Sequence, residues 1–328
     1  MRVVAEVERS GLVESRHYGI VVVADVGGRV LAAAGDPDEV VYLRSCAKPF
    51  QALAVWSLDV ERTLGVDRLG LAGAAGSHAG EPVHVESARK VLAAAGLDER
   101  ALRCPPALPR DPAARELAPG PAPIYHNCSG KHAYLLAGAV AQGWERERYT
   151  SPEHPVQAVV ADTVADYAGV PIERVGVDGC GVPVHAIALR GLATAYARLA
   201  ARAAGGAEGP AALVEALRQH PVMLAGTGSL DTVLLEVTGG RVLAKAGAEG
   251  VHAAADLASG RGLALKVLDG ADRARRAALF AALRALGWLD ERELEAIRPL
   301  VTSEVLGGGE RVGEVRPAAL DLELDGSE

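Results

Sequence analysis

Lysine is scarce in this chain. Of 34 basic residues among 328, only five are lysines: Lys48, Lys90, Lys131, Lys245 and Lys266. The arginine bias is itself readable as base composition, but the positions that resist it are enriched for sites needing a neutral amine. A guanidinium cannot lose its proton in a protein, whereas a buried amine can. Cysteine is scarce too. Cys46, Cys104, Cys128 and Cys180 are too few and too widely spaced for a disulfide framework, and point to a reducing cytoplasm. No uncharged run approaches the roughly 20 residues of a membrane span. The acids of Met1-Arg2-Val3-Val4-Ala5-Glu6-Val7-Glu8 interrupt any secretory signal. Positive charge is also short: the net charge is −8 and the pI about 5.7. That excludes phosphate-backbone binding as the main task. The expected partner is a small molecule, with neither nucleic acid nor membrane.

What is present is a globular chain, 49% hydrophobic, long enough for one large domain or two lobes sharing a core. Apolar runs at 20–25 and 29–33 flank Gly27-Gly28 as a hairpin. Helical patterns follow at 47–57, 82–95, 132–142, 155–167 and 192–203, and a long proline-rich loop spans 104–123. Runs at 232–237 and 241–246 around Thr238-Gly239-Gly240 read as a second hairpin, 262–268 as a further strand, and 271–286 and 291–297 as helices. Gly226-Thr227-Gly228-Ser229 and Gly307-Gly308-Gly309-Glu310 read as turns or substrate-shaping loops, and the acidic tail 321–328 as frayed. The order predicts an α/β (α+β) fold, with a sheet built from both chain ends and a helical lobe inserted between. The expected division is one catalytic domain over 1–328, with a sheet lobe of 1–44 plus 225–328 and a helical lobe of 45–224.

Ser45-Cys46-Ala47-Lys48, followed by Pro49, sets a hydroxyl and an amine on one face of a helix start. A neutral lysine there can activate the serine as a nucleophile. The same four letters also read as a capped helix with a solvent-facing lysine. Ser77, in Gly76-Ser77-His78-Ala79-Gly80-Glu81, is a second hydroxyl at a site wall or a capping residue. Lys245-Ala246-Gly247 ends a strand. The order Ser45-x-x-Lys48, Ser77, Lys245-x-Gly247 is that of the penicillin-recognising serine hydrolases. Cys128 and Cys180 read as metal ligands, as a disulfide, which a cytoplasmic setting disfavours, or as small buried hydrophobes. Two thiolates and a nitrogen would suit zinc, with His126 and His132 the obvious third donors by type and Lys131 a less usual one. Lys90 reads as part of a solvated helix face.

Taken together, the chain resembles the L-asparaginase II family of Rhizobium etli type. The segments that carry the likeness are Glu14-Ser15-Arg16-His17, Arg44 to Lys48, Ser77-His78 with Gly80-Glu81, and Asn127 to Ala133. To these add His154-Pro155-Val156-Gln157, Asp178-Gly179-Cys180, Ala225 to Gly228 and Lys245 to Gly250. The resemblance implies hydrolysis of L-asparagine to L-aspartate and ammonia, a fold like serine β-lactamases and glutaminases, and a homodimer. It implies Ser45 as nucleophile with Lys48 as base, assisted by Ser77 and Lys245. It implies zinc on Cys128, Lys131 and Cys180, and substrate contacts from Arg44, His78, Asp178, Gly247 and Glu249. Two positions depart from the pattern: Ala246 stands where relatives often carry threonine, and His252 where an aromatic usually follows Glu-Gly-Val. The alternatives are a glutaminase, a β-lactamase-like hydrolase whose extracellular substrate the missing signal disfavours, and a non-catalytic zinc or amino-acid-binding protein.

Overall fold

The computed structural model describes residues 1–322; positions 323–328, the end of the acidic tail, lie outside the described residues. The strands are β1 (Arg2–Arg9), β2 (Leu12–Ala24), β3 (Val30–Ala34), β4 (Val40–Tyr42), β5 (Arg174–Val177), β6 (Pro183–Ala188), β7 (Val242–Ala246), β8 (Val251–Asp256), β9 (Arg261–Val267), β10 (Ser303–Gly307) and β11 (Glu310–Pro317). The helices are α1 (Lys48–Trp56), α2 (Val60–Leu64), α3 (Arg68–Ala75), α4 (Pro82–Ala94), α5 (Pro112–Leu117), α6 (Ser129–Ala141), α7 (Pro155–Ala168), α8 (Leu189–Ala204), α9 (Glu208–Gln219), α10 (Leu230–Val237), α11 (Asp272–Ala285) and α12 (Glu291–Val301).

The main sheet is antiparallel in the order β10-β11-β1-β2-β9-β8-β7, with β3 beside the second half of β2. Its strands come from both chain ends, as the sequence predicts. Ile20-Val21-Val22-Val23-Ala24 is apolar throughout because β2 is covered on both faces. Ile20, Val22 and Ala24 join the core of the helical lobe, while Val21 and Val23 pack with α11 and α12. The first face is closed by α8, which lies along β2, β8 and β9. A second, three-stranded sheet has the order β4-β6-β5. Among the described residues no helix is long and apolar enough to cross a membrane.

One predicted hairpin is corrected. The run 232–237 lies in helix α10, not a strand, so the Thr238-Gly239-Gly240 turn joins a helix to β7. Its β-branched residues favour a strand locally. Tertiary packing wins, because Leu230 and Leu234, one helical turn apart, bury into the core shared with α12. The 104–123 loop is less irregular than its prolines suggest, since it contains α5, capped by Asp111.

Candidate active site

The Ser45 turn lies against β7 and β8 of the main sheet and leads into α1. Leaving β4, the chain donates Leu43 N–H to His185 O at 3.0 Å, then turns through Arg44 at φ +48°. Left-handed backbone is unfavourable for a residue with a Cβ, by about 1–2 kcal/mol. The Arg44 side chain is anchored, with Nε 2.8 Å from Asp178 Oδ1. Residues 44–47 form a 3-10 turn that runs straight into α1 with Pro49 in its first turn. In a 3-10 turn positions i and i+3 eclipse, which puts Ser45 and Lys48 on one face. Cys46 fastens the turn to the sheet: its Sγ donates to Lys245 O at 3.0 Å, and its own carbonyl accepts from Tyr196 Oη.

Glycine is needed where β7 ends. A Cβ on Gly247 would lie 3.1 Å from Cys46 Sγ and 3.3 Å from Leu43 O, against the Ser45 turn itself. Gly247→Ala is expected to destabilise the protein by about 1–3 kcal/mol through overpacking. Urea denaturation checks this, and an unchanged midpoint would show that the strand end does not press on the turn.

Lys48 in α1, Lys131 in α6 and Lys245 in β7 lie in regular elements, and all three are buried: Lys48 is 1% exposed, Lys131 3% and Lys245 0%. Lys90, by contrast, pairs with Glu86 on an exposed helix face. Lys48 Nζ reaches Gly76 O at 2.7 Å, Ser77 Oγ at 3.0 Å and Asn127 O at 3.0 Å. Among the described residues no bond joins it to Ser45, so the contact expected from spacing is made to Ser77 instead. Burial pushes the Lys48 pKa down and the Lys131 charge adds to that, against the opposing pull of the Cys128 and Cys180 sulfurs. Ser77 is placed by backbone: its N–H donates to Leu224 O, and a Cβ on Gly76 would meet Met223 O at 1.9 Å.

An open cleft of about 520 Å³ lies beside these groups, lined by Ser77, Arg110, Thr227, Asp231, Lys245 and Arg275 among others. Arg110, from the proline-rich loop, donates to Ser77 O and His78 O. Glu81 binds both the N–H and the hydroxyl of Thr227, tying the 226–229 loop to the rim. Burial brings Lys245 down to about 8, with Asp231 opposing and Lys48 and Arg110 assisting. Its Nζ donates to Ala246 O and lies 4.0 Å from Asp231 Oδ2.

On the far side of the Ser45 turn, Lys131 Nζ donates to Cys180 Sγ at 3.2 Å, and Cys180 Sγ lies 3.6 Å from Asp178 Oδ2. A hydrogen bond from Cys180, with Lys48 and Lys131 close by, holds the Cys128 thiol well below the usual thiol range. That bond to Cys128, together with burial, pushes Cys180 up. Burial opposes charge on Lys131, but the Cys180 and Cys128 sulfurs and Asp178 carry its pKa upward. All four cysteines are free. Among the described residues no group of three or more His, Cys, Asp and Glu side chains could hold a metal. With the Lys131 amine as third donor, however, two sulfurs and a nitrogen do converge. Zinc bonds of about 2.3 Å to sulfur and 2.0–2.1 Å to nitrogen give a tetrahedral N···S edge of roughly 3.5 Å, close to the separation seen. His132 is buried, with Nδ1 2.6 Å from Tyr149 Oη and Nε2 without a hydrogen-bond partner.

None of the five expected substrate contacts, Arg44, His78, Asp178, Gly247 and Glu249, lines that cleft, and neither does Ser45. His78 is 1% exposed, with Nδ1 accepting from Gly80 N–H and Nε2 bonded to Ser129 Oγ, so both nitrogens are engaged within the protein. Glu249 is exposed at φ +57°, and its carbonyl accepts from Lys266. Sequence reading missed Asp231, Arg275 and Arg110, single letters outside any motif. It noted His252 only as a departure.

An amine within hydrogen-bond reach of a serine, beside an open cleft, can activate a nucleophile. The chain belongs to the L-asparaginase II family, whose family model matches residues 5–317. No curated protein matches it by sequence. Solved structures that overlap it include a β-lactamase from Mycobacterium bovis, at 16% identity and TM-score 0.36, covering 78% of this chain and 89% of that one. Another is a provisionally assigned β-lactamase from Bacteroides dorei, at 15% identity and TM-score 0.41, covering 76% and 84%. Overlaps this shallow carry no weight for the chemistry.

Proposed function

We propose that the chain is an L-asparagine amidohydrolase. In this reading Ser45 Oγ attacks the side-chain amide carbon, the C–N bond breaks, ammonia leaves, and water cleaves the aspartyl ester to release L-aspartate. The observation that carries it is the Lys48–Ser77 bond beside the Ser45 turn. A neutral lysine has two N–H groups and one lone pair. Two of the three Lys48 partners are carbonyls, which only accept. The lone pair therefore faces the Ser77 hydroxyl. Ser77 passes its proton to Lys48 and takes the proton of Ser45 in turn. The same bond favours a second reading in which Ser77 itself attacks.

Two backbone N–H groups at the end of β7 are already engaged. Ala246 N–H is held by Asp231 Oδ2 at 2.7 Å, and Gly247 N–H by Val251 O at 2.8 Å. Ala248 and Ser45 N–H are the donors assigned here to the developing charge. Arg44 and Asp178 offer one charge of each sign to the carboxylate and ammonium of a free amino acid. Zinc, when bound by Cys128, Lys131 and Cys180, would supply a fixed positive charge that anchors that end of the substrate. We place the protein in the cytoplasm as a homodimer.

Ammonia release from a panel of amides tests the function. L-Asparagine is expected to be turned over; release from no amide, or turnover of a β-lactam alone, would refute the reading. The metal assignment is checked by elemental analysis. About one zinc per chain is expected, with loss in Cys128→Ser and Cys180→Ser, as a three-ligand protein site requires. Fully active protein free of zinc would contradict it.

A further inference from the structure

Behind Lys245 runs a buried chain of polar groups that the proposed reaction does not use. Asp231, at the start of α10, is 3% exposed, His252 on β8 is 0% and Arg275 on α11 is 7%. Arg275 Nη1 is 2.5 Å from His252 Nδ1. A guanidinium only donates, so Nδ1 accepts and the ring proton sits on Nε2. That nitrogen is 2.9 Å from Asp231 Oδ1. The other carboxylate oxygen, Oδ2, accepts Ala246 N–H at 2.7 Å and lies 4.0 Å from Lys245 Nζ. Arg275 is held at its far end by Asp272. His252 Nε2 faces the carboxylate at ion-pair distance, without a hydrogen bond of regular geometry.

We propose that Asp231, oriented by His252 and Arg275, is the positioning residue of Lys245: it pins the strand that carries the amine and decides how readily the amine gives up its proton. Three groups besides Asp231 act on that amine: Lys48 of α1, Cys46 of the nucleophile turn and Arg110 of the proline-rich loop. Asp231 is the one carboxylate among the four. Burial, Lys48 and Arg110 all drive Lys245 toward the neutral amine, and Asp231 pulls against them. His252 moderates that pull by facing Oδ1, and Arg275 fixes the tautomer that lets it do so.

The inference rests on Lys245 taking part in the proposed reaction, but its test does not depend on the substrate. Five lysines allow each amine to be followed by carbon-13 lysine NMR in the resting full-length protein. Lys245 is expected to titrate near 8. Asp231→Asn keeps the shape and removes the charge. It should lower that titration by about one unit or more, a tenfold change, whereas mere loosening would raise it toward the solvent value. An unchanged or raised titration overturns the proposal. Should Asp231→Asn fail to fold, the His252 pair decides. His252→Leu, which removes the donor on Asp231, should raise the titration by more than about half a unit, and His252→Gln, which can keep a donor there, should restore it. Equal values in both variants overturn the proposal. Ammonia release is read separately, so a wrong substrate and a wrong positioning role give different results.

Discussion

Ser45→Ala is expected to lower ammonia release from L-asparagine by about 10,000-fold or more, the scale on which serine hydrolases respond to loss of the nucleophile. The fold should survive. Ser45 is half-exposed, and among the described residues its side chain makes no hydrogen bond that would be lost. What holds the turn is Cys46, through Lys245 O and Tyr196. The comparison with Ser77→Ala is informative. If Ser77 only relays a proton, its loss costs about 100–10,000-fold, as general acid–base steps do. If Ser77 attacks, the two variants exchange places.

Lys48→Arg is the second large effect, with an expected loss of about 1,000-fold in kcat. The guanidinium keeps the positive charge but cannot serve as base. It is also too large for a site that is 1% exposed, so Lys48→Met is the better-folded control. Methionine leaves Gly76 O and Asn127 O without their donor, at a cost of about 1–3 kcal/mol for each buried acceptor. Against that, no amine has to be desolvated, so the net change in unfolding free energy should be smaller than the sum. Both variants should lose activity alike while differing in stability, as read by urea denaturation beside the ammonia assay. Activity in either within tenfold of wild type would remove Lys48 as base.

Much of the site was legible because chemistry left a mark on composition. In an arginine-rich chain, three of the five lysines are buried, and the two left over are accounted for by a surface ion pair and a strand-end carbonyl. The sheet was legible where the local signal was strong, as at Gly27-Gly28 between β2 and β3. It failed where short segments take their state from packing. The 230–237 run is helical because Leu230 and Leu234 face a core that local sequence does not reveal. The β10–β11 hairpin was read only as a Gly307-Gly308-Gly309 turn, because β11 carries just two valines, Val312 and Val315, at a spacing that breaks strand alternation. Partner choice was invisible for the same reason. Spacing alone pairs Lys48 with Ser45, but the loop at Gly76, seated on Met223, brings Ser77 to the amine. Asp231, His252 and Arg275 are 21 and 23 residues apart in sequence and meet only once α10, β8 and α11 are assembled.

The most direct test of the central claim is to locate the covalent intermediate. Wild-type protein is mixed with L-asparagine, acid-quenched within a turnover, digested and mapped by mass spectrometry. The account predicts an aspartyl ester on the peptide containing Ser45, absent from Ser45→Ala. An ester on Ser77, or no adduct while ammonia is being released, would contradict it.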